Sequence, residues 1–334
     1  MLCGIAVVGN AQLADSNRTF RENGRIEVMN RFVNLKLSMS NDLENISVRT
    51  ANQKFVLNPN GNAYFKLGFN YRFIAFSFKF APDFLGGTND NAIRGKTRFQ
   101  GFGTDLNFKQ SFHQLSYRRT RGFYLENTGD FNPAWQPGQA YFQFPQLYFT
   151  QFQLVSGYNF NPALSVNSLV AQTERQLKSA GAFMPYTSLR YYTVEDKTPL
   201  TANSSSQRSS NFEWILAPTY LYNHILKHDF YLAAGGGPGL GVLFTRLDTR
   251  RQNSTETTRS SDFVFRWHAR AGLGHNGPRF FAGAYFEAQG ANFKQQNTTA
   301  TNREVRLFYS IFSGYRFNAP GTLKRLTDKA SRII

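Results

Sequence analysis

Cysteine is nearly absent: Cys3 stands alone among 334 residues, so no disulfide can form within the chain and a bridged secreted scaffold is excluded. No apolar run approaches the roughly 18 residues of a membrane-spanning helix, which excludes a helical span. Acidic residues are few, 21 Asp and Glu against 38 Lys and Arg, for a formal net charge of +17. The five histidines are dispersed without metal-ligand spacing. What is abundant is aromatic: 34 Phe, 16 Tyr and 3 Trp make up 16% of the chain, while charged residues reach only 18% and mean hydropathy is -0.43. Hydropathy alone describes a soluble chain, but the arrangement of the aromatics does not.

From Ser261 to Gly274, Phe263, Phe265, Trp267, Ala269, Ala271 and Leu273 alternate with Asp262, Val264, Arg266, His268, Arg270 and Gly272. Successive side chains of a strand point to opposite faces, so one face is apolar and the other mostly ionisable. A soluble barrel turns its apolar face inward. Here the pattern recurs in about a dozen segments whose second face carries charges and glycines, which suits a polar lumen and a lipid-facing exterior. The expected fold class is all-β: a single antiparallel transmembrane β-barrel of about 12 strands (roughly 10 to 14), with short periplasmic turns and longer polar external loops.

Residues 1–11 end in small residues after a short apolar run, like the distal half of a secretory signal peptide with cleavage after Ala11. Residues 12–30 read as a polar lead-in, 31–318 as the barrel and 319–334 as a basic C-terminal tail. The clearest hairpin sets Ala63, Phe65, Leu67, Phe69 and Tyr71 against Lys66 and Asn70, then turns near Arg72 into Ile74, Phe76, Phe78 and Phe80. Residues 127–145 break both periods and read as a long aromatic loop. After Asn161-Pro162, Leu164, Val166 and Val170 read as one strand and Phe183 to Val194 as another.

The connections Leu226 to His228 and His275 to Pro278 are short, whereas 195–211, 248–261 and 295–302 are long and rich in Ser, Thr, Asn and Gln. The short turns are therefore assigned to the periplasm and the long loops to the exterior. One inconsistency remains: two strands between 163 and 194 place the 195–211 loop on the wrong side.

The candidate lumen-lining residues are Lys66, Asp105, Lys109, Glu213, Arg266, His268, Arg270, Glu287, Glu304 and Arg306. A hydrolase would need a nucleophile, an oriented base and an oxyanion site. No such constellation is visible, and paired lumen charges account for these residues, because an unpaired buried charge is costly. No catalytic, cofactor-binding or metal-binding residue is assigned, and no cofactor is expected. The run Gly235-Gly-Gly-Pro-Gly-Leu-Gly241 fits no phosphate-loop register; alternate glycines at 235, 237, 239 and 241 instead leave space for bulky lumen neighbours or allow bending. The basic residues form no compact reader motif, so no nucleic acid is expected, and outer-membrane lipid and lipopolysaccharide are the expected partners. The last strand places Tyr309, Gly314, Tyr315 and Phe317 in a pattern that resembles the C-terminal signal read by bacterial barrel-assembly machinery.

The segment Glu174-x-Gln176-x-Lys178-Ser179-Ala180-Gly181, within 161–192, resembles a Bacteroidota-type family of outer-membrane barrels catalogued as a domain of unknown function. The resemblance runs from the Asn58-Pro59-Asn60 segment to the final strand. Ala182 stands where that family usually has Ser. The resemblance implies a place in the bacterial outer membrane and no particular activity. The expected function is a non-enzymatic outer-membrane barrel, either a narrow pore or an envelope-structural component. The alternatives are a lipid-modifying outer-membrane enzyme and a secreted soluble β protein, the latter suggested by sequons at Asn45, Asn203 and Asn253.

Overall fold

The computed structural model describes residues 18–330 apart from 44, 50–52, 62, 83–89, 203 and 295–300. The signal-like segment 1–11 lies outside the described residues. In chain order the strands are β1 (Thr19–Arg21), β2 (Ile26–Val28), β3 (Phe32–Ser40), β4 (Ile46–Arg49), β5 (Lys54–Asn58), β6 (Tyr64–Tyr71), β7 (Ile74–Phe80), β8 (Arg98–Asn107), β9 (Ser111–Leu125) and β10 (Gln143–Tyr158). They continue with β11 (Glu174–Gln176), β12 (Ala180–Phe183), β13 (Tyr186–Asp196), β14 (Ser206–Ala217), β15 (Tyr220–Ile225), β16 (Phe230–Arg251), β17 (Ser254–Asn276), β18 (Phe280–Lys294) and β19 (Thr301–Asn318). Two α-helices are present among the described residues, α1 (Asn91–Arg94) and α2 (Gly321–Ala330).

A ring of 12 antiparallel strands runs β3-β6-β7-β8-β9-β10-β13-β14-β16-β17-β18-β19 and closes when β19 returns to β3, pairing Phe317 with Val33 and Ile311 with Met39. Closure leaves no edge in the ring. The alternation orients every strand. On β17, Phe263 and Leu273 are exposed outward, while Asp262 and Val264 are buried inside. At a rise of about 3.4 Å per residue and a tilt near 40°, the step from Phe263 to Leu273 climbs roughly 26 Å, the height of a bilayer-facing apolar band. Leu35, Leu37, Leu232, Phe244, Phe286 and Ile311 continue that band on neighbouring strands.

Two departures from the sequence expectation matter for the site. The stretch around Leu164, Val166 and Val170 is not a strand. The Asn159 and Asn161 side-chain oxygens accept from Asn161 N and Ala163 N at 3.1 Å each, and successive turns follow, with Leu164 N bonded to Asn161 O and both Leu169 N and Val170 N bonded to Val166 O, all at 3.0 Å. Such side-chain turns coil the backbone back on itself. Only one wall strand therefore lies between 163 and 194, interrupted at Met184-Pro185 into β12 and β13, because proline offers no N–H to a ladder. With that count, the loop after β13 falls at the same end as the other long loops.

The second departure is at 248–261, expected as a loop. It is paired instead: Asp248 sits opposite Thr257 and Arg251 opposite Ser254. Threonine suits a strand as well as a loop.

The polar lead-in also folds. β1 and β2 form a hairpin around Glu22, Asn23 and Gly24, all at positive φ, and β2 pairs with β11 in a separate three-stranded sheet. This sheet belongs to the end of the barrel where the turns are short. At the same end, Ala319, just before α2, packs with Val33, Tyr71 and Leu323.

Candidate functional site

The small sheet and the coiled segment from Asn159 to Ser179 occupy the turn end of the lumen as a plug. The Glu174 to Gln176 stretch ties it together. Glu174 accepts from Ser165 Oγ at 2.5 Å and pairs with Arg21 at 2.6 Å. Gln176 accepts from Ser165 N at 2.8 Å and donates to Ala163 O at 2.7 Å. Arg175 bridges Glu27 and Asp229 of the β15–β16 turn, the second at 2.5 Å, and donates to Asn276 O at 2.9 Å. Glu27 is also held by Arg18 at 2.6 Å. Burial pushes the Glu27 carboxyl up, but the Arg18 hydrogen bonds and the Arg175 charge outweigh it and hold it below the ordinary glutamate range.

The wall strands grip this plug from many directions. Asn34 on β3 and Asn70 on β6 both donate to Ala171 O at 3.0 Å, and Lys36 donates to Val170 O at 3.0 Å. Tyr285 on β18 donates to Leu169 O at 2.9 Å, and Leu169 packs with Tyr231, Phe281 and Phe312. Arg316 on β19 is fully buried; it donates to Gln172 O at 2.7 Å, to Asn276 Oδ1 at 2.5 Å and to Gly277 O.

Toward the loop end the lumen holds a chamber of about 520 Å³, within the range of small-molecule sites. Its floor is apolar: Val166 and Val170 of the plug, beside Met184, Tyr186 and Leu221. Opposite the floor, Asp42, Asn45, Ile46 and Ser47 contribute to its lining where the chain leaves the end of β3 and enters β4. Ile46 packs there against Phe123, Leu147 and Phe149 on the far wall.

The chamber wall carries Arg190, Glu213, Arg266, His268, Arg270, Glu287 and Arg306. Glu213 lies between two guanidiniums, 3.0 Å from Arg190 Nε and 2.6 Å from Arg266. The glycine run explains how Arg266 reaches it across β16. Register sets Gly235 opposite Arg270, Gly237 opposite His268 and Gly239 opposite Arg266, so the inner face of β16 is bare where these side chains cross. Arg270 does not pair with Glu287, its register partner. It lies over Tyr285 at 4.0 Å, and its buried Nε finds no acceptor among the described residues. Glu287 instead accepts from Gln289, and His268 Nδ1 lies 3.4 Å from the Tyr186 hydroxyl.

The other sequence candidates lie elsewhere. Lys66 and Asp105 border a void of about 20 Å³ next to Val170. Lys109 is on the β8–β9 turn, exposed and 3.7 Å from Glu22, so it does not line the lumen; its place in an alternating stretch concealed that a turn follows Asn107. The Glu304 side chain lies outside the described residues. Arg306 donates to Asn45 O at 2.5 Å. On β19, Tyr315 and Phe317 point outward, Tyr309 N donates to Asn41 Oδ1 at 2.7 Å, and Gly314 lies opposite Phe281 and Lys36. Sequence reasoning missed Glu27, Lys36, Arg175 and Arg190. The parity conflict around 163–194 was the one signal that a segment had left the wall.

The chain belongs to the family described as Domain of unknown function (DUF4421), which matches residues 26–317. No curated protein matches. Among solved structures, the outer membrane protease OmpT from Escherichia coli is similar at 7% identity and TM-score 0.35, covering 87% of this chain and 98% of that one. The translocator domain of autotransporter NalP from Neisseria meningitidis is similar at 9% identity and TM-score 0.32, covering 86% and 88%. The outer-membrane expressed OmpT of Vibrio cholerae gives 9% identity and TM-score 0.29, covering 88% and 98%.

Proposed function

We propose that this member of the DUF4421 family is a non-enzymatic outer-membrane β-barrel of a Bacteroidota-type envelope whose own chain closes its periplasmic end. The observation that carries this reading is the plug, which hydrogen-bonds to β3, β6, β17, β18 and β19 around the lumen. Of the two roles expected from sequence, pore and envelope component, this favours the closed barrel. The outward apolar band supports a bilayer location, and the short turns then face the periplasm. Lipopolysaccharide is the proposed neighbour of the basic loop end, and the barrel-assembly machinery is the proposed reader of Tyr309, Gly314, Tyr315 and Phe317.

The non-enzymatic reading is supported by what surrounds the histidines. His268 meets a tyrosine, whereas the Ser–His contacts of the described residues, His113 with Ser156 at 3.0 Å and His224 with Ser179 at 3.3 Å, lie outside the chamber. No histidine of the described residues is bonded to a carboxylate, the partner that would orient a catalytic base.

Planar-bilayer recording tests the closed floor. Purified protein is expected to insert without conductance steps over a wide voltage range, and a stable open-channel conductance would refute it. For location and orientation, Thr255→Cys at the β16–β17 tip is expected to react with an impermeant maleimide on whole cells, and Lys227→Cys only after lysis.

A further inference from the structure

We infer that the chamber above the plug is a binding site for a small amphiphilic anion, an organic phosphate or carboxylate with an apolar body, entering from the loop end. The inference rests on the closed-barrel reading, since a floor is what turns the lumen into a site. Three features of the chamber lead to it.

The first is charge. The wall presents Arg118, Arg190, Arg266, Arg270 and Arg306 against Asp42, Glu213 and Glu287, with His268 beside them. One carboxylate, Glu213, serves both Arg190 and Arg266, and the Glu287 carboxylate is turned toward Gln289. Among the described residues the lining therefore carries an excess of positive charge, in a cleft whose protein walls focus it.

The second is Arg270. Its guanidinium carbon lies 4.0 Å over the centre of the Tyr285 ring, and its buried Nε donates to no group among the described residues. A buried guanidinium donor without an acceptor is costly, and arginine's planar fork matches a carboxylate or phosphate. Tyr285 is itself fixed by its bonds to Tyr231 Oη at 3.0 Å and Leu169 O at 2.9 Å, so the guanidinium is presented on a rigid support. Gly235, opposite Arg270, and Gly239, opposite Arg266, line the chamber without side chains of their own.

The third is the division of the chamber along its axis. β17 descends from the loop end, so Arg266 and Arg270 stand above the floor. Below them Val166, Met184, Tyr186 and Leu221 pack together as an apolar base. An inorganic anion would use only the upper part. A ligand with an anionic head and an apolar body satisfies both, with its apolar end on Val166 and Val170.

The probe is 1-naphthyl phosphate, titrated by fluorescence into full-length protein in lipid nanodiscs, with inorganic phosphate and 1-naphthol as the two half-ligands. Saturable one-to-one binding that weakens with salt is expected, at least tenfold tighter than either half-ligand. Arg270→Gln is expected to weaken it roughly tenfold or more and Arg270→Lys to restore part, with each variant first checked for folded-barrel gel mobility. Absence of saturable binding, or wild-type affinity in folded Arg270→Gln, would overturn the proposal. Equal affinity for inorganic phosphate would overturn the role of the apolar floor. Conductance recorded on the same preparation separates the two readings: an open channel defeats the closed floor, whereas a silent barrel that binds nothing defeats only the ligand.

Discussion

Replacing Arg316 with methionine removes a side chain that ties wall, turn and plug together. Arg316 donates from Nε and Nη2 to Gln172 O at 3.1 and 2.7 Å, from Nη2 to Asn276 Oδ1 at 2.5 Å and from Nη1 to Gly277 O, with its guanidinium 4.9 Å from the Phe281 ring. Methionine keeps an unbranched apolar stem, two atoms shorter, and donates nothing. Gln172 O retains the Asn34 amide at 2.7 Å, so two buried acceptors lose their donor, Gly277 O and Asn276 Oδ1. At about 1 to 3 kcal/mol for each orphaned group, the loss is about 2 to 6 kcal/mol. Relief of the desolvated guanidinium offsets part of this, leaving about 1 to 4 kcal/mol, or a factor of about 5 to 1000 in the opening equilibrium. Amide hydrogen exchange read by mass spectrometry checks it. Peptides spanning 164–176 should exchange faster by that factor in Arg316→Met, while mid-strand peptides of β16 and β17 stay unchanged, because opening the plug need not open the ring. Unchanged exchange in 164–176, or acceleration spread evenly over the barrel, would refute the reasoning.

Acid should loosen the same plug. The folded Glu27 carboxyl titrates below its ordinary value of 4.5, so its contribution is fully present above that value and is lost as pH falls through the lower folded value. Exchange of the 18–30 segment is therefore expected to rise below about pH 4.5, and Glu27→Gln to remove that step; a pH-independent profile in the wild type would contradict it. On the exterior, Ala269 is exposed near the middle of the outward run on β17, and Ala269→Arg is expected to cost about 2 to 4 kcal/mol in refolding from denaturant into vesicles. The lumen-facing exchange His268→Arg should cost far less, and the opposite ranking would mean that the faces are inverted.

Much of the barrel is written in short-range pattern. The alternation on β17 reads both faces of that strand, and the Gly235 to Gly241 run reads as an inner surface without bulky side chains, which lies in register with Arg266, His268 and Arg270. Other elements were misread because the pattern is ambiguous. Leu164, Val166 and Val170 have strand spacing, yet the Asn159 and Asn161 side-chain turns wind that backbone. The Ser/Thr-rich stretch at 248–261 has loop composition, yet threonine pairs well in a ladder. At the site, Arg266 and Glu213 were both named from parity and do meet, but Arg270 and Glu287 sit in register without pairing.

Sequence alone determined the strand class, the inward and outward faces and the end at which the turns are short. These follow from a two-residue period and from connection lengths, both properties of neighbouring residues. The tertiary structure alone decided that the lumen has a floor and a chamber. Asn34 meets Ala171, Arg175 meets Asn276 and Arg316 meets Gln172, each pair more than a hundred positions apart in the chain. The space they fill exists only once β19 has closed on β3. An inward polar face looks the same in sequence whether it faces water or another part of the chain, so the plug became visible only when the ring closed around it.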